Sequence, residues 1–317
     1  MKLAPPSALP PAIILLGPTA SGKTQLAMHL VDRLPLEIIS VDSAQVFRDM
    51  NIGTAKPDAA TLARYPHALI NLITPEESYS AARFRADALC QMAAITARGR
   101  IPLLVGGTML YFKALLQGLA DLPDADRELR AEIDRDAAVR GWPALHADLA
   151  RLDAQTAARL APNDAQRIQR ALQLLRLTGK TLQQLFAGQT QRPPPYRLLS
   201  LALVPQDRSQ LHARIAQRFA AMLELGLVPE VERLRLGYRL QASLPAMRCV
   251  GYRQVWEMLE GQIEAGQLLE RGIYATRQLA KRQLTWMKKM PGIQIHDPLA
   301  ADSAELALER TRRFLGA

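Results

Sequence analysis

Five short apolar runs punctuate the first two thirds of the chain: residues 12–16 (AIILL), 37–41 (EIISV), 68–73 (ALINLI), 101–105 (IPLLV) and 198–204 (LLSLALV). Each is short for a helix and carries apolar residues on both faces, the pattern of strands buried in a parallel sheet. The stretches between them space apolar residues as a helix does, for example Leu26, Ala27 and Leu30 after Gly22. Alternating strands and helices predict an α/β fold, a parallel sheet flanked by helices.

The pattern changes between residues 121 and 195, where helices rich in Arg, Gln and Ala follow one another without a strand. Leu122-Pro123-Asp124 and Gln191-Arg192-Pro193-Pro194-Pro195 mark its edges, both poor continuations of regular structure. The expected organisation is a catalytic core of residues 1–121 and 197–317 with an all-helical insertion over residues 122–196. Past the insertion, Asp207 reads as a helix N-cap and Gly226 as a stop, and a final helix is predicted over about 266–290.

With 49% apolar residues, the 317-residue chain has a globular composition and enough length to bury a real core. No run approaches the length of a membrane span, and residues 1–11, proline-rich, lack the apolar stretch of a signal peptide. Cys90 and Cys249 stand outside any zinc or disulfide spacing, which fits a reducing cytoplasm. The 40 Lys and Arg against 30 Asp and Glu give a net charge of +10, which favours a polyanionic partner. An aromatic content of 5% argues against an RNA binder built on stacking platforms.

Gly17-Pro18-Thr19-Ala20-Ser21-Gly22-Lys23-Thr24 fits GxxxxGK[ST] between a predicted strand and a predicted helix. In such a loop backbone N–H groups converge on phosphate oxygens, Lys23 neutralises charge and the Thr24 hydroxyl ligates Mg²⁺. ATP, GTP and a lipid diphosphate present the same anionic handle, so the loop alone does not select among them. Asp42-Ser43-Ala44-Gln45 follows the second strand, at the end of a parallel sheet that faces the ligand crevice. Asp42 there is a candidate base, with a helix N-cap or an outer-sphere magnesium partner as the alternatives. Gly106-Gly107-Thr108 ends another strand and brings the Thr108 hydroxyl to the same crevice, unless the glycines merely terminate the strand.

Basic segments lie farther along. Gln166-Arg167-Ile168-Gln169-Arg170 sits in a helix expected to open at Asn163, with Arg167 and Arg170 on one face. Arg248-Cys249-Val250-Gly251-Tyr252-Arg253 combines two guanidiniums with a ring suited to base stacking. Either patch is also explained as solvated surface. The final helix is one-signed: Arg271, Arg277, Lys281, Arg282, Lys288 and Lys289 occur with no acidic residue from Gly272 to Ile295. Leu279, Leu284 and Trp286 are expected to face the core there.

The blocks at 17–24 (GPTASGKT), 41–47 (VDSAQVF), 52–57 (IGTAKP), 102–116 (PLLVGGTMLYFKALL), 248–254 (RCVGYRQ) and 275–287 (ATRQLAKRQLTWM) closely resemble the bacterial tRNA dimethylallyltransferase family across nearly the whole chain. That resemblance implies attack of the exocyclic N6 of the adenine beside the anticodon, position 37, on carbon 1 of dimethylallyl diphosphate, with diphosphate released. It implies Asp42 as the base, Thr108 orienting the adenine or Asp42, and Ser21, Lys23, Thr24 and Mg²⁺ on the diphosphate. Arg214 is a further clamp on that group, unless it belongs to a solvated face with Arg218. It also assigns tRNA contacts to residues 42–45, Arg130, residues 166–170, residues 248–253 and the run Lys281, Arg282, Gln283, Leu284, Thr285, Trp286, Met287 and Lys288. The insertion would grip the anticodon stem, and the target base would turn out of its stack to enter a channel. An asymmetric tRNA held in this way needs no partner subunit, so a monomer is expected. A small-molecule kinase and a non-catalytic RNA-binding NTP switch are the rival readings. A relative that prenylates free AMP would leave the C-terminal charge unused.

Overall fold

The computed structural model describes residues 9–118, 122–123, 126–187 and 193–316. The lead-in up to Ala8 and the edge residues Asp121, Asp124, Gln191 and Arg192 lie outside them. Six strands, β1 (Pro11–Leu16), β2 (Leu36–Val41), β3 (His67–Ala68), β4 (Ile101–Gly106), β5 (Arg197–Leu203) and β6 (Ile293–His296), form one sheet in the order β3-β2-β4-β1-β5-β6. Every pairing is parallel. Central β1 has residues 12–16 fully buried, because helices cover both faces of the sheet and leave no side of the strand for water.

The chain divides into two compact units, one of residues 1–116 and 193–317 and one of residues 117–192. In the first, α1 (Lys23–Val31), α2 (Ala59–Arg64), α3 (Ala81–Ala97) and α4 (Met109–Gln117) follow the strands as crossovers. In the second, α5 (Arg127–Arg140), α6 (Trp142–Leu152), α7 (Ala154–Ala157), α8 (Ala165–Thr178) and α9 (Leu182–Ala187) enclose a core of Ile133, Leu145, Leu149, Ile168 and Leu172. Its buried Asp153 caps α7 and also accepts the amide of Leu182 at 3.0 Å, which ties α9 to the rest. The first unit resumes with α10 (Arg208–Glu224), α11 (Leu227–Gly237), α12 (Tyr252–Leu259), α13 (Leu268–Met287) and α14 (Ser303–Leu315).

Several expectations need correction. The run 68–73 is not a strand: β3 stops at Ala68, and Leu69 and Asn71 take positive φ values of 66° and 53°. The amides of Asn71 and Leu72 donate to the carbonyls of Gln45 and Val46, so the segment spends its hydrogen bonds on the loop after β2 rather than on a ladder. α8 opens at Asp164, whose carboxylate accepts from the Arg167 amide, not at Asn163. The predicted final helix is α13, and β6 and α14 follow it without having been anticipated. Asp207 does cap α10 through the Ser209 amide at 2.7 Å.

The parallel order brings the C-terminal ends of β1, β4 and β2 side by side, and the loops that follow them share one crevice. Helices α10 and α13 cross close beside it, where a Cβ on Gly272 would meet the Phe219 ring at 1.9 Å. Gly272→Ala is therefore expected to lower stability by about 1–3 kcal/mol through overpacking, read by chemical denaturation; an unchanged midpoint would show that the Phe219 ring has room to yield.

Candidate active site

The loop between β1 and α1 is shaped by backbone that few residues tolerate. Ala20 takes φ 63°, and Gly22, at φ 88°, is the N-cap of α1. The first-turn amides of α1 thereby open onto a cavity of about 310 Å³ lined by residues 20–25, Ala55, Pro57 and Arg218. A helix N-terminus concentrates unpaired N–H donors and positive dipole, which suits an anion. Inside the loop, Lys23 Nζ donates to the carbonyls of Gly17 at 2.9 Å and Pro18 at 2.7 Å. Burial, reinforced by the nearby Arg218 guanidinium and opposed by Asp42, pushes the Lys23 ammonium down to about 7. Ser21 is buried, and its Oγ has no hydrogen-bond partner among the described residues.

Two guanidiniums from α10 complete this charge. Arg214 Nη2 comes within 3.5 Å of the position that a Gly22 Cβ would occupy. Arg218, one turn on, lines the cavity, and its own pKa is lowered by burial and by Arg214 while Asp42 acts in the opposite sense. The solvated-face alternative thus fails for Arg218, the residue that sequence reasoning left out of the site. Its spacing of four from Arg214 already put both on one helix face.

The other two strand ends are held to the phosphate loop by hydrogen bonds. Asp42 is half-buried, and its Oδ1 accepts the amides of Ala44 at 2.8 Å and Gln45 at 3.3 Å in an Asx turn. That turn aims the carboxylate and leaves Oδ2 outside it. Thr108 reaches Ser43 rather than Asp42: its Oγ1 accepts the Ser43 amide at 2.9 Å and lies 3.2 Å from the Ser43 hydroxyl. Gln45 points inward, accepting from Ser40 Oγ and donating toward the carbonyls of Thr54 and Ala55. Gln283 of α13 is buried between the loops, its Oε1 accepting from the Thr19 amide at 2.9 Å and its Nε2 donating to the Gly107 carbonyl at 2.9 Å.

The basic segments separate into surface and interior positions. Ser43, Arg130, Gln166, Arg167, Arg248, Arg253, Lys281, Arg282, Thr285 and Lys288 are exposed, and so is Trp286, against the expectation that it faces the core. Leu279 and Leu284 are half-buried, as are Ala44, Gln45, Arg170, Cys249 and Val250. Ile168, Gln169, Gly251, Tyr252, Gln283 and Met287 are buried, so their expected contact with a polyanion does not follow from this structure. Gln169 accepts from Arg130 Nε at 2.9 Å and donates to Asp134, and Tyr252 donates to Glu230. Burial pushes the Cys249 thiol up to about 12, with the Asp42 carboxylate acting in the same direction.

Lys23 gives the cavity a pH signature. An anion restores the ammonium, so above pH 7 binding must take up a proton, and affinity falls as pH rises. Sulfate, which does not titrate in this range, is expected to bind roughly tenfold more weakly at pH 8 than at pH 6, measured by calorimetry; a flat profile would mean that Lys23 is already charged without ligand.

The chain is similar to known proteins along nearly its whole length. The family model described as IPP transferase matches residues 45–290, and that described as isopentenyl transferase matches residues 11–72. The tRNA dimethylallyltransferase of Dechloromonas aromatica is 61% identical over 98% of this chain and 99% of its own length. That of Thiobacillus denitrificans is 62% identical over 98% of each. Among solved structures, the tRNA isopentenylpyrophosphate transferase of Bacillus halodurans aligns with a TM-score of 0.69 at 33% identity, over 96% of this chain and 95% of that one. A eukaryotic dimethylallyltransferase acting on tRNA aligns with a TM-score of 0.81 at 27% identity, over 97% of this chain and 80% of that one. Similar to these proteins along nearly its whole length, the chain belongs to the tRNA dimethylallyltransferase family.

Proposed function

We propose that this chain transfers a dimethylallyl group from dimethylallyl diphosphate to N6 of the adenine next to the anticodon, position 37, of tRNA, and releases diphosphate. The observation that carries this reading is the meeting, in one crevice, of a cavity suited to a diphosphate and a carboxylate held two strands away, across the end of β4. As the new N6–C1 bond forms and the C1–O bond breaks, negative charge gathers on the departing oxygens. The α1 amides, Lys23, Arg214 and Arg218 lie where they would hold it, fixed before the reaction begins. Adenine N6 is a weak nucleophile because its lone pair is delocalised into the ring, and loss of its proton to Asp42 raises its reactivity. Thr108 fixes the turn that carries Asp42, through Ser43.

The residues present fit a magnesium ion. Thr24 stands in the first turn of α1 at the cavity wall, beside the unpartnered Ser21 hydroxyl. Mg²⁺ takes most of its ligands from phosphate oxygens and water, so one or two protein oxygens suffice. When bound there, it would neutralise part of the diphosphate charge.

The exposed cations of α13, Lys281, Arg282 and Lys288, together with Arg248 and Arg253, supply a surface for the tRNA backbone, and Arg167 and Gln166 are exposed polar side chains of the helical unit. The helical unit then grips the anticodon stem. Among the described residues, no helix is long and apolar enough to cross a membrane. The working form is read as a cytoplasmic monomer.

The direct test is mass analysis of nucleosides from unmodified tRNA incubated with the protein, Mg²⁺ and dimethylallyl diphosphate. An adenosine adduct is expected, and Asp42→Ala is expected to form it about 10²–10⁴-fold more slowly with tRNA affinity nearly unchanged. No adduct, with ADP released from ATP in the presence of a metabolite, would favour a kinase instead. Lys281→Ala should weaken tRNA binding and reduce the slope of log affinity against log salt by about one; a slope equal to wild type would remove Lys281 from the interface.

A further inference from the structure

Glu230 is a buried carboxylate that the proposed reaction does not use. It sits in the first turn of α11 at 3% exposure, and no cationic side chain forms an ion pair with it among the described residues. Its partners are consecutive backbone amides: Asn51 N at 3.1 Å and Ile52 N at 2.9 Å on Oε2, and Gly53 N at 3.3 Å on Oε1. The Tyr252 hydroxyl donates to Oε1 at 2.5 Å. A buried carboxylate is costly unless donors surround it, and here a single loop provides three of the four. The packing is correspondingly close, since a Cβ on Gly53 would meet Tyr252 Cε2 at 2.5 Å.

The same loop has a second anchor and a definite destination. Lys56 Nζ donates to Phe47 O at 2.7 Å, Asn51 Oδ1 at 3.1 Å and Asn71 Oδ1 at 2.7 Å. Between the anchors Ala55 is held at φ 49°, a conformation that a free loop would leave. Ala55 and Pro57 line the phosphate cavity together with its own loop residues, and the carbonyls of Thr54 and Ala55 receive Gln45 of the Asp42 turn.

We propose that Glu230, with Tyr252, is a positioning residue for the diphosphate: it clamps the 51–53 amides so that Ala55 and Pro57 close the phosphate cavity. This role rests on the functional reading above. It assigns to Tyr252 an interior task in place of the base stacking expected from its sequence context. Glu230 touches no reacting atom and acts through the loop alone.

Calorimetric titration of inorganic diphosphate with Mg²⁺ separates the two ideas, because it does not depend on prenyl transfer. The wild type is expected to bind, Glu230→Gln to bind at least about tenfold more weakly, Tyr252→Phe several-fold more weakly, and Glu230→Asp to recover part of the loss. In turnover, Glu230→Gln should raise KM for dimethylallyl diphosphate more than it lowers kcat. Amide exchange at residues 51–53 should speed up in the same variants. A folded Glu230→Gln with wild-type affinity for diphosphate overturns the role and leaves the functional reading intact. If Glu230→Gln does not fold, isosteric Tyr252→Phe decides: wild-type affinity with wild-type exchange overturns the role. A wild type that ignores diphosphate removes both the role and the reading on which it rests.

Discussion

The site depends on one side-chain amide. A parallel sheet ends its strands in loops whose backbone groups have no ladder to join, and the Thr19 N–H and the Gly107 carbonyl are two such groups in a crevice that must exclude water. Gln283 satisfies both with its two ends. An unmet buried donor or acceptor costs about 1–3 kcal/mol, so no aliphatic side chain of similar size could stand there without loosening one loop or the other. Because the phosphate loop and the Thr108 loop share this contact, the distance between the cavity and the turn carrying Asp42 is set by a rigid spacer rather than by two independently mobile segments. A basic helix that presents Lys281, Arg282 and Lys288 outward thus presents a neutral amide inward.

The charge arrangement follows from the same closeness. Lys23, Arg214 and Arg218 crowd around the cavity with Asp42 as the nearby counter-charge, and burial, reinforced by like charges, lowers the pKa values of Lys23 and Arg218. A site so preloaded is poorly satisfied when empty, and an anion would relieve repulsion that the fold has already incurred.

Much of this was legible in the sequence. The phosphate loop announces itself because its glycines, lysine and threonine are dictated by local backbone geometry, and four of the six strands stand out because burial on both faces makes them mostly apolar. The run 68–73 misled because apolar content reports burial, not conformation; its amides are claimed by the loop after β2. Gln283, Glu230 and Arg218 were misread or passed over for a related reason. A polar residue on an amphipathic helix carries no mark of whether it faces water or a distant loop, and the groups it serves lie far away along the chain. Trp286 errs in the other direction, an aromatic residue left at the surface of a helix whose other apolar positions turn inward.

That separation along the chain has a consequence for how the protein is made. Gln283 lies 264 residues from Thr19 and 176 from Gly107, and Glu230 lies 177 to 179 residues from the loop it holds. During synthesis the phosphate loop emerges early, yet the clasp that braces it emerges near the end. A nascent or truncated chain therefore carries the motif without a finished pocket. The pocket is complete only once α11 and α13 have been made.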